Sequence, residues 1–84
     1  MDIFERTLPK KEQLKIWIKR NVYVPTHEVI KWGSANYHIR AERDARDFAK
    51  EGQLRRLTES EQRFYGFKCK DEVWAWVEQK KNNP

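Results

Sequence analysis

The chain has 84 residues, of which 38% are hydrophobic and 37% charged, and its net charge is +5 at pH 7. This length suits one small domain over residues 1–84 and leaves no room for a second core. Four Trp, three Tyr and four Phe supply enough area for a compact aromatic core, which argues against disorder. The single cysteine, Cys69, excludes an internal disulfide, and two histidines with one cysteine make no metal-ligand pattern. We therefore expect a domain that holds neither a metal ion nor a cofactor.

Targeting and membrane signals are not evident in the sequence. The first residues lack the long apolar stretch of a signal peptide, and no window approaches the roughly 18 apolar residues of a membrane span. We expect an intracellular protein that is not secreted and has no membrane partner. It would be cytoplasmic and, in a bacterial cell, associated with the nucleoid.

The first part of the chain predicts a lead-in, a helix and a short strand. Residues 1–8 form the lead-in, and Pro9 suits the first turn of a helix over residues 9–20. Apolar residues recur at i, i+3 and i+4 along that helix and predict its buried face. This face comprises Leu14, Trp17 and Ile18, and Asn21 shares it at i+7. Residues 22–25 are β-branched or aromatic and end on a proline, which predicts a short strand.

The middle of the chain predicts two helices joined by a tight turn. Thr26 is a good N-cap for a short helix, and Gly33 lies where the chain must reverse. Ser34 can cap a second helix over residues 34–51, and Gly52 occupies the position of a left-handed residue after a helix end. Two helices joined by a glycine turn form a helix-turn-helix, whose second helix can lie in a DNA major groove.

A helical wheel gives the second predicted helix two faces. One is a narrow stripe expected to pack in the core, comprising Tyr37, Ala41, Ala45 and Phe48. The opposite face comprises Asn36, Ile39, Arg43, Arg46 and Lys50. Arginine and asparagine make bidentate contacts with guanine and adenine edges, and an exposed isoleucine can meet a thymine methyl. The alternative is that this charged face is simply solvated.

The residues after Gly52 predict a β-hairpin over residues 53–68. Two strand-like runs, at 53–57 and 64–67, flank a polar segment. Residues 53–70 carry five Lys or Arg against two Asp or Glu, so the hairpin is the most basic part of the chain for its length. A basic hairpin beside a mixed helix is suited to phosphate contacts by one element and base reading by the other.

This order of elements resembles the winged helix-turn-helix superfamily of DNA-binding domains. The resemblance rests on the run from Leu14 to Lys68, above all on RDFAKEGQLRRL, which looks like the family's passage from recognition helix through glycine into the first wing strand. It implies base contacts from the helix and phosphate contacts from the wing. The base-reading candidates are Ser34, Asn36, Tyr37, Ile39, Arg40 and Arg43. The phosphate-binding candidates are Arg55, Arg56 and Arg63.

The predicted recognition helix departs from the family pattern because its second half is acidic. Asp44, Asp47 and Glu51 would repel phosphate, so only the front half of the helix is expected to approach a groove closely. The carboxylates are interleaved with arginines, and i, i+4 pairing explains Glu42 with Arg46. Arg43 and Asp47 have the same spacing.

The end of the chain predicts a further helix over residues 70–81, with Asp71 as its N-cap. Its apolar stripe either docks on the first helix or lets Trp74 or Trp76 contribute to a homodimer surface. The expected fold is therefore α+β and mainly α. It is a small winged helix with a three-helix core and hairpin wing at residues 9–68 and an extra C-terminal helix.

The function expected from these features is sequence-reading binding to double-stranded DNA, as a small transcriptional or replication regulator. The alternative is a protein–protein interaction module on a winged-helix scaffold that has abandoned DNA. Structured RNA is a third possibility, without the aromatic motif of the usual RNA modules. An enzyme is not expected, because there is no catalytic triad spacing and no glycine-rich phosphate loop. His27 and His38 are expected at the surface rather than as ligands or bases. For His38, which falls at the edge of the core stripe, the alternatives are packing at the domain edge or contact with phosphate.

Overall fold

The computed structural model describes residues 7–68 and 70–77, and it places four helices and three strands there. The helices are α1 (Lys10–Asn21), α2 (Thr26–Ala35), α3 (Ala41–Lys50) and α4 (Glu59–Phe64). The strands are β1 (Tyr23–Pro25), β2 (Leu54–Arg56) and β3 (Val73–Trp76). The prediction of an α+β fold that is mainly α is confirmed. Most of the predicted lead-in lies outside the described residues.

Helices α1, α2 and α3 enclose the main core against the sheet. Leu14 and Ile18 of α1 are fully buried, and Trp17 stacks on Trp32 of α2 with 5.5 Å between ring centroids. The predicted face of α1 is thus confirmed for Leu14, Ile18 and the partly buried Trp17, whereas Asn21 at its end is exposed. Helix α3 contributes the small-residue stripe expected of it, made of Ala41, Ala45 and Phe48. Small side chains let neighbouring helices approach closely, so a short chain can still close a core.

The strands form an antiparallel sheet in the order β1-β3-β2, and its two faces have different neighbours. Side chains alternate across a strand, so Val24, Trp74 and Leu54 share the face that packs on the helices. On the other face, Tyr23 and Arg55 lie either side of Ala75. A second apolar cluster covers this outer face, comprising Leu57, Val73 and Ala75 with Tyr23 and Phe67 packed against them.

Helix α2 does not end at Gly33, as the sequence predicted, but continues to Ala35. A Cβ atom at Gly33 would lie 2.6 Å from the carbonyl oxygen of His38 and 2.7 Å from Cβ of Ala41. The glycine is therefore needed where α2 passes close to the start of α3. It is not the residue that reverses the chain.

The chain reverses over residues 36–40 instead, and we call this segment the α2–α3 turn. Tyr37 adopts the left-handed conformation with a φ of 57°, and the Asn36 side chain donates a hydrogen bond to the carbonyl oxygen of Trp32 at 2.8 Å. The predicted helix over residues 34–51 is therefore wrong at its start, because α3 begins after the turn. The prediction that Tyr37 packs in the core is also wrong, since its side chain is exposed.

Gly52 ends α3 as the sequence predicted. Its φ of 80° is left-handed, and its N–H donates to the carbonyl oxygen of Ala49 at 3.1 Å. The next N–H, of Gln53, donates to the carbonyl oxygen of Phe48 at 2.8 Å. These two bonds form a Schellman motif, which satisfies the last carbonyls of the helix and directs the chain into β2.

The predicted hairpin over residues 53–68 is wrong in its second strand. Strand β2 pairs with β3, and residues 58–67 form helix α4 and the turn that follows it. Thr58 and Glu61 make a capping box: each side chain accepts a hydrogen bond from the other residue's backbone N–H, at 3.1 Å in both cases. This reciprocal pair starts a helix where the sequence was interpreted as a polar loop.

The predicted C-terminal helix over residues 70–81 is also wrong where the structure describes the chain. Val73–Trp76 forms β3, the central strand, and residues 78–81 lie outside the described residues. Valine and tryptophan favour strands, and pairing on both sides satisfies the backbone of β3. Trp74 is buried and its Nε1 donates to Thr26 Oγ1 at 3.1 Å, so its side chain lies in the core rather than on a dimer surface.

Candidate nucleic-acid interface

The exposed face of α3 is predominantly basic. Arg43, Arg46 and Lys50 follow one another at i, i+3 and i+7 and are all exposed. Arg46 Nη2 lies 2.8 Å from Glu42 Oε1, which confirms that predicted i, i+4 pair. Arg43 has no ion pair among residues 7–68 and 70–77, so its predicted pairing with Asp47 is not formed there. The guanidinium of Arg43 is therefore available to a ligand.

Two of the acidic residues that should repel phosphate have cationic or hydrogen-bonding partners. Asp44 Oδ2 lies 2.7 Å from His38 Nε2, and Glu51 Oε1 lies 4.0 Å from Lys11 Nζ. Pairing reduces the outward negative potential of each carboxylate. The acidic character of the back half of α3 is thus weaker in the fold than in the sequence.

The α2–α3 turn projects two apolar side chains into solvent. Tyr37 is 89% exposed and Ile39 is 98% exposed, and the neighbouring Arg40 is exposed as well. An open depression of about 470 Å³ lies beside them, lined by Lys10, Lys11, Tyr37, His38, Ile39, Arg40 and Asp44. Lys10 Nζ donates to the carbonyl oxygen of Asn36 at 2.8 Å and so ties α1 to the turn. Sequence reasoning did not connect either lysine with this surface, because that contact depends on tertiary packing.

His38 holds the turn from inside, and the prediction that it lies at the surface is wrong. It is only 6% exposed, its backbone N–H donates to the carbonyl oxygen of Gly33 at 2.7 Å, and its ring packs edge-on to Trp32. Because the Asp44 carboxylate can only accept, His38 Nε2 carries the proton of the 2.7 Å bond between them. This bond links the turn to the first turn of α3 and fixes how the exposed residues are presented.

The two arginines of β2 are both paired with carboxylates. Arg55 makes a bidentate contact with Glu61, with nitrogen–oxygen distances of 2.9 and 2.8 Å. The hydrogen bonds from Arg55 and, with a smaller effect, the one from the Thr58 backbone N–H lower the pKa of Glu61 to about 2. The hydrogen bonds to Glu61 in turn raise the pKa of Arg55. Arg56 Nη2 lies 2.7 Å from Glu72 Oε1. A phosphate at either guanidinium would have to compete with a carboxylate.

The structure therefore distributes the predicted contact residues over several surfaces. Arg43 lies on α3, and Ser34 lies on α2. Four candidates lie in the α2–α3 turn, namely Asn36, Tyr37, Ile39 and Arg40. Arg63 is exposed on α4 and has no ion pair within the described part of the chain. Trp76 is half-buried and packs edge-on to Phe48, with Lys15 and Lys19 over its ring.

Residues 7–68 and 70–77 contain neither a cluster of metal ligands nor a membrane-spanning helix. There, no group of three or more His, Cys, Asp or Glu side chains could hold a metal ion. No helix in that part of the chain combines the length and the apolar character needed to cross a bilayer. Comparison with known proteins finds no family model, curated protein or solved structure that matches the chain.

Proposed function

We propose that the chain is a winged-helix protein that binds double-stranded DNA, with the N-terminal part of α3 in the major groove. The order of the elements supports the winged-helix interpretation. Helix α1 and strand β1 precede helices α2 and α3, and the paired strands β2 and β3 come after them. Residues 57–72, between β2 and β3, would stand in the place of a short wing. Such a protein would act as a small transcriptional or replication regulator, and as a homodimer it would read half-sites about one helical turn apart.

The observation that carries this proposal is the exposed Arg43 in the first turn of α3, next to the exposed α2–α3 turn. It has no ion pair with any described residue, that is, within 7–68 and 70–77. Arginine reads guanine through two parallel hydrogen bonds, and the positive end of the helix dipole favours approach to phosphates. Ile39 can contact a thymine methyl beside it. Arg40 and Lys10 then offer phosphate contacts around the same depression.

The proposal is tested by fluorescence anisotropy with random-sequence duplex DNA at about 50 and 200 mM salt. We expect micromolar binding that weakens steeply with salt, followed by selection of a preferred sequence. Arg43→Ala should then lose about 1–3 kcal/mol of discrimination at one base position. Lys31→Ala is the matched control, because it removes the same charge from the side of α2 opposite its buried residues. No binding at the lower salt, or equal effects of the two variants, would refute the assignment.

A protein partner is the second candidate, and a specific observation favours it. Ile30 is 50% exposed, and with Tyr37 and Ile39 it gives the region of the α2–α3 turn an apolar surface. Ile30, Ile39 and Ala41 also line an open depression of about 310 Å³. Exposed apolar groups of this kind often mark protein interaction sites. If duplex DNA does not bind, Ile39→Asp should abolish binding to such a partner, whereas Lys31→Ala should not.

A further inference from the structure

Helix α4 and the turn after it carry aromatic rings that do not pack in the core formed by α1, α2 and α3. Phe64 is 83% exposed and Tyr65 is 43% exposed. The ring of Phe64 meets Tyr65 edge-on at 5.2 Å, and Tyr65 stacks on Tyr23 at 4.4 Å between centroids. Phe67 also packs edge-on to Tyr23, with 6.3 Å between ring centroids. The four rings form a continuous series that begins in the outer cluster of the sheet and ends in solvent at Phe64.

The backbone around these rings is held in place. The capping box of Thr58 and Glu61 fixes the start of α4, and Arg55 anchors Glu61 to β2. At the other end, Gly66 adopts a left-handed φ of 80°, and the N–H of Phe67 donates to the carbonyl oxygen of Gln62 at 2.8 Å. A ring presented by a fixed backbone loses little further entropy when a ligand binds. The exposure of Phe64 is thus a property of an ordered surface.

Cationic side chains flank these rings, and the acidic residue one turn before Phe64, Glu61, is already paired with Arg55. Arg63 and Lys68 are exposed, and residues 62–68 contain no Asp or Glu. Neither cation has an ion pair among residues 7–68 and 70–77. Aromatic rings flanked by unpaired cations match the chemistry of a nucleic acid strand, whose bases stack and whose phosphates carry charge. A purely apolar protein partner would leave both cations without a counterion.

We propose that Arg63, Phe64, Tyr65 and Lys68 form a stacking surface for the unpaired bases of single-stranded DNA. Phe64 offers its ring to a base, Tyr65 supports that ring from behind, and the two cations contact the adjacent phosphates. Base stacking on an aromatic side chain changes affinity by about 5- to 150-fold per base. The surface does not include the α3 face, so this inference goes beyond the duplex binding proposed above and does not rest on it.

The test compares two labelled probes that carry the same number of phosphates, one a strand of about 12 thymidines and the other an abasic strand of equal length. Anisotropy with the full chain should show the thymidine strand binding at least about fivefold more tightly. Phe64→Ala should remove that preference, and Phe64→Leu should remove most of it, because leucine keeps the apolar area but has no ring to stack. Ser60→Ala, an exposed position on the same helix, is the control and should keep the preference.

Three outcomes would overturn the proposal. Equal affinity for the thymidine and abasic strands would mean that only charge is recognised. A thymidine preference that survives Phe64→Ala would place the stacking elsewhere. Self-association by gel filtration that disappears in Phe64→Ala would show that a second copy of the chain covers the ring. Duplex binding by wild type and Arg43→Ala in the same buffer reports on α3 separately, so failure of one proposal is distinguishable from failure of the other.

Discussion

The close approach at Gly33 makes a strong prediction about stability. Alanine in the interior of an exposed helix is normally more favourable than glycine by about 0.5–1 kcal/mol, because glycine loses more backbone entropy on folding. At Gly33, however, the added methyl would lie 2.6 Å from the carbonyl oxygen of His38 and 2.7 Å from Cβ of Ala41. Neither neighbour is the mobile end of a long side chain, so α2 and α3 must separate.

The cost of that separation should exceed the gain in helix propensity. Overpacking a well-packed core costs about 1–3 kcal/mol, and contacts to backbone and Cβ atoms belong at the upper end of that range. Subtracting the propensity gain leaves a net loss of about 2 kcal/mol in the free energy of unfolding. For a domain of this size, that corresponds to a fall in Tm of roughly 8–16 °C.

Urea unfolding followed by tryptophan fluorescence measures this loss directly, since Trp32 is buried in the same helix as Gly33. Ser34→Ala is the matched control: it adds no atoms, its side chain is exposed, and its effect should stay within about 0.5 kcal/mol. If Gly33→Ala were as stable as the wild type or more stable, then α2 and α3 would not approach as closely as described. The chain reversal over residues 36–40 would then also differ from the geometry described above.

Two further predictions concern the polar contacts that hold the turn and α4. Because the Arg55 hydrogen bonds lower the pKa of Glu61 from 4.5 to about 2, this pair contributes stability above pH 4.5 that is lost as the pH falls through about 2. The stability difference between wild type and Glu61→Gln, from urea unfolding, should therefore shrink over that interval, and a constant difference would contradict the assignment. His38→Ala should lower the free energy of unfolding at neutral pH by about 1.5–3 kcal/mol, because the Asp44 carboxylate loses the donor of its hydrogen bond, and an unchanged urea midpoint would count against that bond.

Local signals were sufficient to predict α1, the sheet strand after it and the end of α3. The apolar spacing of Leu14 and Ile18 and the left-handed position of Gly52 are properties of neighbouring residues, and both predictions are confirmed. The glycine at position 33 was interpreted by the same local rules, and there the prediction was wrong. A helix tolerates a glycine when a second helix needs the space, and the sequence alone does not show that helix.

The second half of the chain contained one usable signal that was missed. Thr58 and Glu61 have the S/T-x-x-E spacing of a capping box, which predicts a helix start rather than a polar loop. With α4 assigned there, β2 would have needed another strand as its partner, and Val73–Trp76 is rich in strand-forming residues. The burial of Trp74 and the two-sided pairing of β3 remain beyond the sequence, because they depend on which strands meet across 16 or more residues of chain.

Whether the α3 surface binds DNA or a protein partner depends largely on the electrostatic potential at that surface. Residues 34–52 carry four basic and four acidic side chains, so the net charge of this segment is zero and the sequence alone predicts little attraction for phosphate. In the fold, Asp44 faces His38 and Glu51 faces Lys11 on α1, so part of the acidic charge is directed toward neighbouring groups. The potential of the exposed Arg43 is not offset by an ion pair with any carboxylate of residues 7–68 or 70–77. Interactions between exposed charges are screened over about 10 Å at 0.1 M salt, so the nearest groups dominate what a phosphate experiences. At the N-terminal end of α3 the Arg43 guanidinium and the helix dipole favour an anion. The two carboxylates of the same turn, Glu42 and Asp44, oppose it less than free carboxylates would, because Arg46 and His38 pair with them.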